Sequence, residues 1–328
     1  MYSRKIKSKK ILFIAGLGST GSSAVCDIFS SYENIIAPSE EWRIWVDPDG
    51  LIDLSQKISL ESSLFWQTTA FERFRVLVNR LIKPGFGPYS RLSLPSYIID
   101  SYKQIFEKIK LTLEIEKYPG IWYGNSNDFF AKSNFIFKKI FWKNPLINNK
   151  MIFSNTLEQK EVSSLIGEIV EIVLEKSLKS LNADLFAINE NYSILFSDSI
   201  FEMHPNSKII VVVRNPFDVY ADSKRVGWLA MPYDIKQFIK WQNILVEQVE
   251  SARLKWPDKI LITKFENLCT NYDLEFDRIN KFIPGFMNEI KIKNFFPERS
   301  KKNINQWKIN FKWLDEYRDS FNYFSKFN

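Results

Sequence analysis

The chain has 328 residues, 45% of them hydrophobic and 16% aromatic, with a formal charge of +7. Its apolar runs are far shorter than the about 20 residues a bilayer crossing takes, so no membrane-spanning helix is expected. One histidine and two cysteines without ligand spacing argue against a zinc site or a disulfide framework, and no metal is expected.

The basic N-terminus runs straight into a strand-like segment rather than the apolar core and cleavage site of a signal peptide, which points to a cytoplasmic protein. Ile11 to Ala15 reads as a buried strand. It is followed by "GLGSTGSSAV" and a helix, capped by Ser22 or Ser23, that runs to about Ser31. "NIIAP" offers a second short strand, and Asp-Pro-Asp-Gly after it a turn. From Ser55 to Leu81 the residues Ile58, Leu64, Phe65, Phe71, Phe74, Leu77 and Leu81 recur at helical spacing, predicting one long helix. Further helices are predicted at about 95–116, 127–142 and 157–181.

Alternation of strands and helices then resumes. "LFAI" reads as a strand and the stretch near Ser199 as a short helix. "SKIIVVV" is a strand apolar on both faces, which belongs inside a parallel sheet. Pro216 suits the first turn of a helix ending near Gly227. A long helix at about 233–256, a strand at "KILITKF" and two C-terminal helices complete the chain.

Strands separated by helices predict an α/β fold in three layers, a central parallel sheet flanked by helices. The chain reads as a single domain over 1–328, with a helical insertion at about 55–181. No internal repeat is visible.

The loop after the first strand has the chemistry of an anion site. Gly16, Gly18 and Gly21 permit close backbone approach, and these are three of only 11 glycines in the chain. Ser19, Thr20, Ser22 and Ser23 offer hydroxyl donors, and the helix start adds its dipole and free N–H groups. Ser22 stands where a nucleotide-triphosphate loop would carry Lys after its last glycine, which disfavours ATP and GTP. The bland alternative is a tight turn without a ligand.

Arg214 ends the "IIVVV" strand at its carboxyl end, where ligands of open α/β sheets bind. Its guanidinium can fork onto a phosphate, or else pair with Asp218. Ser223, Lys224 and Arg225 follow on the next helix.

These two motifs, together with "LITKFENLC" and "RSKKNINQWK", resemble in order the cofactor motifs of sulfotransferases that use 3′-phosphoadenosine 5′-phosphosulfate (PAPS). The resemblance implies a P-loop NTPase-like fold. It also implies PAPS as co-substrate and transfer of a sulfuryl group to an acceptor hydroxyl, on a glycan or glycolipid. By similarity Gly18, Ser19, Thr20, Gly21, Ser22 and Ser23 form the loop that holds the 5′-phosphosulfate. Arg214 and Ser223 would hold the 3′-phosphate, and Lys301, Lys302 and Asn303 would close over the nucleotide. Two positions depart from the pattern. Ser19 stands where many members carry a basic residue, and Asp222 occupies the usual serine position, with Ser223 one further on.

Sulfuryl transfer needs a base for the acceptor proton. Glu40 and Glu41 follow the second strand at its carboxyl end, and Glu41 is preferred because "EWR" resembles a pattern of some microbial members. The alternative for both is a solvated loop acid. His204 precedes a strand, at the opposite end of the sheet, and reads as structural. Trp42, Trp45, Trp66, Trp122, Tyr123 and Trp142 could supply platforms for sugar rings, with core packing the commoner role.

Two other readings stay open. A P-loop-type nucleotide kinase or NTPase keeps the fold but calls for a loop Lys and a magnesium-binding carboxylate. A basic nucleic-acid-binding α/β protein calls for affinity that falls steeply with salt. The leading reading expects the nucleotide and a glycan or glycolipid as partners, without nucleic acid. The positive charge is compatible with peripheral contact at a membrane surface.

Overall fold

The computed structural model describes residues 10–59, 63–83, 94–113, 115–119, 150–154, 157–227, 231–287 and 289–327. In chain order the elements are β1 (Lys10–Ala15), α1 (Ser22–Phe29), β2 (Ile35–Ile36), α2 (Leu51–Lys57), α3 (Leu64–Ile82), α4 (Ser96–Thr112), β3 (Glu116–Pro119), β4 (Lys150–Phe153) and α5 (Gln159–Ser180). There follow β5 (Leu185–Asn189), α6 (Ser197–Met203), β6 (Lys208–Val213), α7 (Pro216–Val226), α8 (Ile235–Lys255), β7 (Ile260–Lys264), α9 (Phe265–Thr270), α10 (Tyr272–Phe282), α11 (Pro297–Lys301), α12 (Trp307–Asn310) and α13 (Tyr323–Lys326). They divide into two compact units, Met1–Val46 with Leu174–Asn328, and Asp47–Val173.

The first unit holds a sheet of order β2-β5-β1-β6-β7, in which every pairing is parallel. All five strands expected from sequence take part, and the class is the layered α/β one expected. Side chains alternate across β1, as a strand buried on both faces requires. Leu12 and Ile14 pack with Val25 and Phe29 of α1 and Ile279 of α10. Phe13, on the other face, meets Trp45 edge-on at 5.4 Å.

The chain leaves β1 toward β2 at one edge of the sheet, and leaves the adjacent β6 toward β7 at the other. Connections that diverge from neighbouring strands open a crevice at the carboxyl ends of those strands. The glycine loop and Arg214 both begin there. A second core of Phe217, Tyr220, Phe238, Trp307, Leu314 and Phe321 packs the C-terminal segment against α7 and α8.

After β7, two helices were expected. The described residues instead form a series of shorter ones, α9 to α13. Gly285, with φ of 86°, and Pro297 at the start of α11 interrupt the chain between them.

In the second unit the single helix expected over Ser55–Leu81 is two. The first ends at Ile58, with non-helical φ and ψ of −116° and 50°, and Ser63 caps the second by accepting from the Trp66 N–H at 3.3 Å. The insertion is also not wholly helical. Glu116, expected at the end of a helix, lies in β3, which pairs antiparallel with β4. Side chains of α3 hold β4 in place: Thr68 Oγ1 both accepts from the Ile152 N–H and donates to its carbonyl, each at 3.0 Å, and Gln67 accepts from the Ser154 N–H. The helix expected over 127–142 lies outside the described residues.

Candidate functional site

The backbone after β1 turns sharply, with left-handed φ at Gly18 (80°), Ser19 (51°) and Gly21 (92°). Gly21 precedes the first turn of α1, where a β-carbon would collide with the ring of Phe265; one on Gly16 would collide with the amide oxygen of Asn191. Thr20 Oγ1 accepts from the Leu17 N–H at 3.0 Å and closes the turn. Among the described residues no acceptor is bonded to the N–H groups of Gly18, Ser19, Thr20, Gly21, Ser22 or Ser23. Free donors converging at a helix start form an anion cradle.

Arg214 reaches this loop. Buried to 7% exposure, it donates from Nη1 to the carbonyl of Ser19 at 2.9 Å and from Nη2 to the carbonyl of Asn303 at 2.7 Å. Its guanidinium lies 5.0 Å from the centre of the Phe265 ring, the same ring that bars a side chain at Gly21. Its carboxylate contact is Asp222, at 3.4 Å, rather than the alternative Asp218. Arg214 Nε is buried and has no hydrogen-bond partner among the described residues.

Asp218 does different work. Fully buried, it accepts from the N–H groups of Asn305 at 2.8 Å and Trp307 at 3.1 Å, fastening the segment that carries Asn303. Glu266 accepts from the Asn215 N–H at 2.8 Å, at the turn from β6 into α7, while its Oε2 is buried without a partner. Burial pushes both carboxyls above their usual range, against the pull of these N–H groups and of Arg214. Tyr323 of α13 is raised well above its ordinary value by burial, and further by the charges of Glu266 and Asp218.

The remaining basic-cluster residues are more dispersed. Ser223 is buried, and its hydroxyl donates to the Tyr220 carbonyl at 2.8 Å, within its own helix. Lys224 bonds the Tyr233 carbonyl, and Arg225 pairs with Asp222. Lys301 and Lys302 are exposed at the end of α11, and Asn303 follows them.

Glu40 and Glu41 lie half-buried on a segment held by three successive residues at the end of β5. Asn189 donates to the Ser39 carbonyl at 2.6 Å and its own carbonyl accepts from the Trp42 N–H at 2.9 Å. Glu190, wholly buried, accepts from the Val46 N–H at 3.2 Å. Asn191 Nδ2 donates to Glu41 Oε1, while its Oδ1 accepts from the Ser22 hydroxyl at 3.3 Å. Glu41 is thus one side chain away from the glycine loop. Burial and then the Glu41 charge push the Tyr192 hydroxyl up to about 12.

Sequence reasoning passed over Asn189, Glu190 and Asn191. The signal was present: three polar residues directly after an apolar strand, at the end of the sheet where β1 and β6 already placed site residues. His204 has the structural role expected, buried and accepting from the Trp45 indole N–H at 3.2 Å. Trp42 and Trp45 are core residues and Trp66 is 63% exposed. Trp122, Tyr123 and Trp142 lie outside the described residues. Cys26 and Cys269 are buried free thiols.

No family model and no curated protein matches the chain. Among solved structures it is similar to the sulfotransferase domain of the Synechococcus PCC 7002 olefin synthase, at 14% identity and a TM-score of 0.41, over 92% of this chain and 82% of that one. It is also similar to the sulfotransferase STF9 from Mycobacterium avium, at 7% identity and a TM-score of 0.37, over 96% of this chain and 72% of that one. A third is the sulfotransferase domain from the curacin biosynthetic pathway, at 11% identity and a TM-score of 0.36, over 88% of this chain and 77% of that one.

Proposed function

We propose that the protein transfers a sulfuryl group from PAPS to the hydroxyl of an acceptor, a glycan or glycolipid. The observation that carries the reading is the cradle of unbonded N–H groups from Gly18 to Ser23, with Arg214 tied to it on one side and Glu41 linked to it through Asn191 on the other. The donor set fits a phosphosulfate: the ligands are N–H groups, the charge of Arg214 lies beside them at Ser19, and glycine at position 21 lets the loop turn tightly against the Phe265 ring.

In this reading the cradle holds the 5′-phosphosulfate, and the charge of Arg214 at Ser19 stands in for the basic residue that the loop lacks. The 3′-phosphate would take the place of Asp222 on Arg214, since that contact is the longest of the three, and Arg225 already shares Asp222. Lys301 and Lys302 would then close over the nucleotide. The acceptor oxygen bonds to sulfur, the bond from sulfur to the 5′-phosphate oxygen breaks, and the hydroxyl proton passes to Glu41, with Glu40 the alternative base. Stabilising charge on the departing phosphate is the larger part of such catalysis.

Thermal unfolding with adenosine 3′,5′-bisphosphate, compared with magnesium ATP, tests the reading. A ligand at a hundred times its Kd stabilises the native state by about 2.7 kcal/mol. A rise with the bisphosphate alone supports it; no rise at millimolar bisphosphate overturns it.

A further inference from the structure

Asn191 is half-buried between two partners that fix which way its amide faces. A carboxylate can only accept, so the NH2 group must point to Glu41, and Oδ1 therefore faces the Ser22 hydroxyl and the bare Cα of Gly16. The Ser22 proton is then committed to Asn191. Ser22 offers the cradle its backbone N–H, and its hydroxyl serves to hold the amide.

We infer that Asn191 is a positioning residue for Glu41: its amide aims the carboxylate at the donor loop and favours the ionised form that can take a proton. The role rests on the proposed sulfuryl transfer. Two observations support it independently of that reaction. The amide joins the two elements that carry the site, the start of α1 and the 39–46 segment, and the room for it exists only because position 16 is glycine. A hydrogen bond donated to a carboxylate lowers its pKa, so loss of the donor raises it.

Among the described residues, the titratable and charged groups around Glu41 include Glu40 and Arg43 on its own segment, Cys26 on α1, and Glu190 and Tyr192 after β5. Burial pushes Cys26 and Tyr192 upward, so both stay neutral while carboxylates titrate. Glu40 is the neighbour of Glu41 in the chain, which calls for a residue-specific probe.

The test uses the full chain with 13C-labelled glutamate, the Glu41 carboxyl resonance being assigned by its loss in Glu41→Gln. Asn191→Asp keeps the acceptor toward Ser22 and replaces the donor by a repelling oxygen, while Asn191→Ser keeps a shorter donor. The Glu41 midpoint is expected to rise by about one unit or more in Asn191→Asp and by less in Asn191→Ser. Slow hydrolysis of PAPS, with water as acceptor, is expected to lose about tenfold or more in kcat at neutral pH in Asn191→Asp. The KM for PAPS is expected to stay within about threefold, and the acid limb of the pH profile to move upward.

An unchanged Glu41 midpoint in a folded Asn191→Asp protein overturns the inference, and so does a loss confined to KM. Because the titration needs no donor, it still decides the role of Asn191 toward Glu41 if the bisphosphate fails to stabilise the protein. That failure would count against the sulfuryl-transfer reading alone.

Discussion

Arg214 Nη1 lies 2.9 Å from the carbonyl oxygen of Ser19, a hydrogen bond between residues 195 positions apart in sequence. With the bond from Nη2 to Asn303, one guanidinium clasps the glycine loop to the C-terminal segment. Arg214→Ala should therefore lower the melting temperature without ligand, since each hydrogen bond to a charged group contributes about 1.5–3 kcal/mol, and should abolish stabilisation by the bisphosphate. Arg214→Lys, which lacks the fork, should recover little of either. Thermal unfolding with and without ligand reads both effects.

Glu41→Gln separates binding from chemistry. The amide should leave stabilisation by the bisphosphate intact while lowering donor turnover by about 10²–10⁴, the usual worth of a positioned base. Equal loss of binding and turnover would instead assign Glu41 to the cradle.

Gly21→Ala meets two obstacles. The left-handed φ of 92° costs an alanine about 1–2 kcal/mol, and the ring of Phe265 must also move. Urea denaturation should show a larger loss than the backbone term alone. Adding Phe265→Leu should return the steric part only, so that the double variant is non-additive.

Glu266 carries a pH signature. Its folded-state pKa is raised above 4.5, chiefly by burial, so the folded state holds this proton longer than the unfolded chain. The stability it contributes is fully present below the unfolded value and is lost as pH rises from about 4.5 through the raised folded value. Asp218 acts in the same direction from 3.8. Glu266→Gln keeps an oxygen for the Asn215 N–H and removes the buried charge. The fall in stability between acid and neutral pH should become shallower, as followed by denaturant midpoints across that range.

Cys26 and Cys269 are buried, and burial pushes the Cys269 thiol up to about 11 and Cys26 higher still. The native protein should resist a thiol-directed chromogenic reagent at neutral pH and react at both sites once denatured.

The sheet was legible in the sequence because its strands announce themselves. "KIIVVV" is apolar on both faces, and the glycine-rich turn after "ILFIA" marks the ligand end of the sheet. Arg214 followed from the same rule. Asn191 did not, because a polar residue after a strand gains its meaning only from what folds against it, here Ser22 and Glu41. The ribbon of β3 and β4 was hidden for a similar reason: β4 is pinned by Thr68 and Gln67, from a helix remote in sequence. The long helix expected over Ser55–Leu81 split because Ser63 caps a new one, a local choice that apolar spacing does not reveal.

The clasp on Arg214 also bears on synthesis. On the ribosome the glycine loop emerges before Arg214, and Asn303, with the Asp218-held segment around it, emerges later still. The cradle can form early but cannot be locked until most of this chain has been made. A nascent chain released before Asn303 would display an anion loop without its clasp, so ligand-induced protection of the loop from proteolysis should first appear in chains that extend beyond that segment.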